Sequence, residues 1–284
     1  MMQPAAKNLL VRGAGLAALL LTMLGIFMVV LRKDDSVSDP ARHAAVRAGH
    51  TASEEFELGL EALNNEEFDR ALARFSEAIR LDPANSLAFY YRGGILFARD
   101  DLDRALADMS AAIRLNPEDR RAFVARATIY SRWQYYDQAI DDLSEAINLD
   151  PEDAFSYNNR AFVHRQKQEY DQAIADYSRA IELKPKNDAG LGGLAWILAT
   201  CPKDSVRDGQ KAVELATRAC EITGWKDRIG LETLAAAHAE CHDFPAAIQW
   251  QKKALAMMLG DIDRVEEGRR RLKLYEDSQP CRAE

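Results

Sequence analysis

Cysteine is scarce in this chain: four in 284 residues, too few for a disulfide scaffold. Proline (nine) and glycine (15) are also few, which excludes a collagen-like or low-complexity polymer. Positive charge is in deficit, with 37 Lys and Arg against 45 Asp and Glu and a net charge of −8. A groove for nucleic acid needs clustered basic residues, and this balance argues against one. Alternating strand patterns are absent. So are the glycine-rich phosphate loop, the dinucleotide fingerprint, the two-histidine zinc helix and the nucleophile elbow. The hydrophobic fraction, 48%, is too high for a disordered chain, so a folded, non-catalytic helical protein is the expectation, with no cofactor.

One long apolar run is present. Gly13–Leu31 (GAGLAALLLTMLGIFMVVL) has no charged residue and would span roughly 28 Å as a helix, close to the hydrocarbon thickness of a bilayer. Lys7 and Arg12 precede it, Arg32 and Lys33 follow, and no small-residue cleavage site comes just after it. The segment reads as an uncleaved anchor at 13–31, after a basic tail at 1–12 and before a polar linker at 32–51. The expectation is a single-pass protein of the cell membrane. The short basic N-terminus favours an array outside the cytoplasm, although basic residues on the two flanks do not decide the side.

From residue 52 a 34-residue period dominates. Leu-Asp-Pro at 81–83 returns as Leu-Asn-Pro at 115–117, Leu-Asp-Pro at 149–151 and Leu-Lys-Pro at 183–185. Upstream of each stands a related block: FDRALARFSEAIRL, LDRALADMSAAIRL, YDQAIDDLSEAINL and YDQAIADYSRAIEL. Apolar residues fall at helical spacing, so each period is two helices and a turn, closed by proline. Three columns stay small: Gly59, Gly93, Ala127, Ala161, Ala195 and Ala235; Ala71, Ala105, Ala139, Ala173, Ala212 and Ala247; and Ala78, Ala112, Ala146, Ala180, Ala219 and Ala254. Small residues let helix axes approach closely.

These residues resemble the tetratricopeptide repeat, with small residues at repeat positions 8, 20 and 27 and proline at 32. The resemblance implies an all-α, right-handed superhelical solenoid of about six helix pairs at 52–85, 86–119, 120–153, 154–187, 188–227 and 228–261. The fifth pair has five extra residues around CPKDSVRDG, and the last two lack the proline, as in diverged terminal repeats of bacterial arrays. An amphipathic helix at 262–277 caps the array and a tail follows at 278–284.

Arg occurs at repeat position 7 only where Asp occurs at position 23, which predicts the structural pairs Arg92–Asp108, Arg126–Asp142 and Arg160–Asp176. Family members use first-helix positions 2, 5, 9, 12 and 13 to line a concave groove. By position this selects Phe56, Leu60, Leu63 and Asn64, then Tyr90, Phe97, Arg121, Thr128, Arg132, Asn158, Phe162 and Arg165. The later members suit an extended peptide, and an acidic one.

The expected function is a membrane-tethered scaffold that binds a protein or peptide, with an assembly factor or co-chaperone of an envelope machine as the alternative. His238, Cys241, His242 and Asp243 lack the spacing of a metal site. Cys220, in an Ile/Leu column, reads as a buried thiol. Cys201 and Cys241, in adjacent turns, leave a disulfide open, and Cys281 falls in the tail.

Overall fold

A computed structural model describes residues 50–257 and 262–283. The proposed anchor at 13–31, the tail before it and all but the end of the linker lie outside the described residues. Among the described residues no helix is long and apolar enough to cross a membrane. These residues form α-helices and a 3₁₀ turn, with no strand, and divide into two compact units at Asp150/Pro151.

The first unit contains three helix pairs: α1 (Ala52–Asn64) with α2 (Phe68–Leu81), α3 (Ser86–Ala98) with α4 (Leu102–Leu115), and α5 (Arg120–Arg132) with α6 (Tyr136–Leu149). The second contains α7 (Ala154–Gln166) with α8 (Tyr170–Leu183), α9 (Asp188–Thr200) with α10 (Gly209–Ile222), α11 (Arg228–Glu240) with α12 (Phe244–Ala256), and a last helix, α13 (Ile262–Glu276). Partners within a pair pack together, and within each unit successive pairs stack.

Each first helix starts where a short polar side chain accepts from its opening turn. Thr51 and Glu54 form a reciprocal capping box, and Asn85, Asp119, Asp153, Asn187 and Asp227 cap α3, α5, α7, α9 and α11. Each first helix in the four regular repeats then stops at a residue in the left-handed region: Glu66, Asp100, Gln134 and Gln168, with φ of 62°, 66°, 63° and 62°. The next amide reaches back five residues, as Asp101 N does to Leu96 O (2.9 Å), which seals the helix end and reverses the chain.

The small columns set how closely the pairs pack. Ala71, Ala105, Ala139, Ala173, Ala212 and Ala247 are all fully buried. A Cβ on Gly59 would stand 2.6 Å from the Phe75 ring. Cores form around Phe75 and Ile95, and around Met109 and Ile129, in the first unit. In the second they form around Tyr177 and Ile197, around Leu191 and Leu231, and around Tyr275. The extra residues of the fifth pair make a loop between α9 and α10, with a 3₁₀ turn at Asp204–Val206 and Asp208 N bonded back to Leu198 O (2.9 Å).

The C-terminal tail is not a free end. Cys281 is buried with its Sγ 3.3 Å from the Tyr275 hydroxyl, Ala283 N donates to Thr200 O (2.8 Å), and Arg282 reaches Glu240 (2.7 Å). α13 fixes this arrangement: Tyr275 is fully buried, Arg271 pairs with Glu232 (3.1 Å), and the Gln251 amide donates to Gly268 O (3.1 Å).

Candidate functional site

The polar framework explains which side chains remain available. Arg92 donates through Nε and Nη2 to the two oxygens of Asp108, both at 2.8 Å, and through Nη1 to Ser76 Oγ of the preceding pair (3.2 Å). Arg126 repeats this with Asp142 (2.8 and 2.7 Å) and Ser110 (3.4 Å). Arg160 and Asp176 make the same bidentate bond in the second unit (2.8 and 2.9 Å). The three carboxylates are buried, so their compensation is structural. The first repeat reverses the polarity: Arg74 occupies the aspartate column and donates from Nη1 to both oxygens of buried Glu55 (3.0 Å each), which also meets His50 Nδ1 (2.8 Å). Sequence reasoning missed Glu55. The available signal was Arg74 itself, a cation in a column that is buried in the neighbouring repeats.

On the first-helix face of the first unit, burial revises the position rule. Tyr90 and Phe97 are each 2% exposed and Thr128 is 5% exposed, its hydroxyl donating to Val124 O (2.8 Å), so none offers a surface to a ligand. Arginines from α5, the first helix of the next pair, lie over the two rings, Arg121 at 5.1 Å from Tyr90 and Arg132 at 5.8 Å from Phe97. Both are neutralised. Arg121 donates to Asp119 through Nε and Nη2 (2.8 and 2.7 Å), which raises its pKa further, and Arg132 pairs with Asp100 (2.7 Å). Burial pushes the Tyr90 phenol up to about 12, and its oxygen has no hydrogen-bond partner. Phe56 and Leu60 are half-buried, Leu63 is buried and Asn64 is exposed.

The second unit differs. Asn158, Phe162 and Arg165 follow one another along a single face of α7 at spacings of four and three residues, and all three are half-buried. Arg165 lies 5.1 Å from the Phe162 ring. Asn158 Nδ2 donates to Asn187 Oδ1 (2.8 Å), the atom that caps Gly190 N (3.1 Å), which ties α7 to the start of α9. The neighbouring α9 is glycine-rich: Gly190 lies against Asn158, Gly193 gives way to the Tyr177 ring, and Gly192 has open space where a side chain would stand.

The histidine-cysteine cluster resolves into a turn. His238 Nδ1 meets Asp243 Oδ2 (3.1 Å), Asp243 caps α12, and His242 takes the left-handed position with φ 59°. Among the described residues no group of three or more His, Cys, Asp or Glu is disposed to hold a metal. All four cysteines are free thiols, which removes the Cys201–Cys241 disulfide: Cys201 is fully buried, whereas exposed Cys241 has its Sγ against Gly209. Burial pushes the Cys220 thiol up to about 11, as befits an inert core position.

Helix pairs of near-constant length, all but the fifth joined by one turn geometry and packed through small columns, define a helical-hairpin repeat protein. Tetratricopeptide-repeat profiles match residues 56–120, 121–153 and 154–187, and the chain is a tetratricopeptide-repeat protein over that span. No curated protein matches the sequence. Among solved structures, a tetratricopeptide repeat protein from Parabacteroides merdae is similar at 17% identity with a TM-score of 0.57, covering 79% of this chain and 98% of that one. The APC/C hetero-tetramer Cut9–Hcn1 gives 16% identity and a TM-score of 0.66, covering 83% of this chain and 45% of that one. YrrB, described as a TPR protein with an unusual peptide-binding site, gives 17% identity and a TM-score of 0.51, covering 69% of this chain and 97% of that one. At these identities the likeness is one of fold.

Proposed function

We propose that this protein is a scaffold that holds a peptide or protein segment on its first-helix faces, and that residues 13–31 tether it to a membrane. The observation that supports binding most directly is the α7 face of the second unit, where Asn158, Phe162 and Arg165 all keep exposed surface and Arg165 lies 5.1 Å from the Phe162 ring. Non-covalent capture needs only such a pre-formed surface, and YrrB, of the same fold, is described as having an unusual peptide-binding site. A photo-reactive phenylalanine at position 162 tests this in cells. It should give discrete cross-linked adducts, while the same group at exposed Leu149, at the end of a second helix, should not. Equal labelling from both positions would refute the assignment of the face.

The tether rests on the 19-residue uncharged run and its basic flanks. It predicts that the chain stays with the membrane fraction through high salt and alkaline carbonate, and leaves it when residues 1–33 are deleted. Protease added before and after opening each membrane then reports the side that holds the repeats, for which the basic N-terminus favours the extracytoplasmic face.

A further inference from the structure

The first-helix cations are of two kinds. Arg121 and Arg132 are already occupied by Asp119 and Asp100. Arg74, Arg92, Arg126, Arg160 and Arg207, buried or half-buried, also face carboxylates within 3.0 Å. Arg165 is half-buried as well, but among the described residues no carboxylate lies within 4.0 Å of it, and its recorded neighbour is the Phe162 ring. A guanidinium withdrawn from water without an anion is an expensive arrangement, and one that a bound anion relieves. A second cation approaches the same ring that feels Arg165, while the nearby Glu169 carboxylate is taken by Lys167 and His164. Lys203, from the loop peculiar to the fifth pair, stands 6.0 Å from the Tyr170 ring, and the charge of Arg165 opposes the upward push that burial gives the Tyr170 phenol. This occurs in a chain whose net charge is −8.

The surroundings supply shape. Phe162 offers a flat apolar surface one turn before Arg165. Gly192, one 34-residue period after Asn158, carries no side chain where the second and third repeats have the buried Tyr90 and Val124, and a Cβ there would meet nothing within 4 Å. The Asn158–Asn187–Gly190 hydrogen bonds fix α7 against the start of α9.

We propose that the second unit recognises an acidic side chain within an extended peptide: Arg165 binds the carboxylate, Phe162 packs a neighbouring apolar residue, and Gly192 gives that residue room. The inference rests on the peptide-binding reading above and narrows it to one anchor and one ligand chemistry. An extended chain advances about 3.3 Å per residue, and the rise from residue 162 to 165 along α7 is about 4.5 Å, so the acid and the apolar residue should lie within two positions of each other.

The test is a random hexapeptide bead library with amidated C-termini, which leaves side chains as the only carboxylates, screened with the full-length protein. Selected peptides should carry Asp or Glu within two positions of an aromatic or large aliphatic residue. Resynthesised, they should lose about tenfold in affinity with either Arg165→Gln in the protein or Glu→Gln in the peptide, and little more with both, as expected for one charge-assisted contact. Arg132→Gln should bind as the parent does. Gly192→Leu should weaken binding without lowering the melting temperature. Selected peptides without acidic bias, or an affinity indifferent to Arg165→Gln, overturn the anchor and leave peptide binding standing. A library that yields no binders overturns peptide binding, and the anchor with it.

Discussion

Removing Asp142 should be far more damaging than removing Asp142 and Arg126 together. Asp142 is 5% exposed and takes two hydrogen bonds from Arg126, whose side chain keeps about a fifth of its surface. Asp142→Leu strands the guanidinium, whose remaining hydrogen bond is the 3.4 Å one to Ser110. Hydrogen bonds to a charged group contribute about 1.5–3 kcal/mol each, and the exposed fifth of Arg126 recovers some hydration, so the loss should be about 2–3 kcal/mol. The chain itself contains the apolar alternative. The same two columns hold Leu194 with Leu215 in the fifth repeat and Leu234 with Trp250 in the sixth, all packed into one core. Arg126→Leu with Asp142→Leu should therefore lie within about 1 kcal/mol of the parent, giving a coupling of about 2 kcal/mol in a double-mutant cycle. Urea unfolding followed by circular dichroism reads all four corners. A double variant as unstable as the sum of the single ones would refute the view that the pair is exchangeable packing, and an unperturbed Asp142→Leu would refute its burial.

Ala139→Leu places three extra carbons in a fully buried seam between α5 and α6 and should cost about 1–3 kcal/mol, seen as a lower melting temperature; an unchanged melt would contradict the close packing of that pair. Gln134→Gly should stabilise by about 0.5–1 kcal/mol, because an exposed residue held at φ 63° loses its Cβ penalty there; chemical denaturation would detect a shift in the opposite direction just as readily. Tyr90→Phe removes an unpartnered buried hydroxyl and should leave stability at pH 7 unchanged or higher. It should also flatten the alkaline limb. With the folded phenol pushed up to about 12, the unfolded chain sheds its proton from pH 10 while the folded chain keeps it, so the parent loses stability above pH 10 by about 1.4 kcal/mol per unit. A Tyr90→Phe protein with the same alkaline slope would exclude Tyr90 as its source.

Much of the fold was legible because its determinants are local and repeated. Asn85, Asp119, Asp153 and Asn187 mark helix starts every 34 residues, the alanine columns mark the seams, and the covariation of position 7 with position 23 reports a direct contact. Three features escaped for physical reasons. The left-handed turn residues are Glu, Asp and Gln, which the residue type does not announce, because the Schellman hydrogen bonds impose the conformation. The C-terminal tail has no periodicity, and its burial depends on Tyr275, Thr200 and Glu240 converging from distant parts of the sequence. At the candidate site, position selects a helix face but not which members of it keep exposed surface. Tyr90 and Phe97 were expected on the surface and are covered by arginines 31 and 35 residues further on, whereas Phe162 is only half-buried.

The reversed polarity of the first repeat has a consequence for building with this molecule. Residues 86–119 make an interchangeable brick: Arg92 reaches back to the serine of the unit before, and Ser110 receives the arginine of the unit after, so a tandem copy would meet matching partners at both joints. Residues 52–85 make a different brick. They offer Ser76 forward, but at position 7 they have Leu58, with nothing to reach back, and their buried Glu55 draws on His50 from outside the repeat. Concatenating the second brick should therefore lengthen the first unit smoothly, while inserting the first one internally should leave a joint without its bridge. The polarity of a single ion pair thus marks which repeat is built to begin a stack and which to extend it.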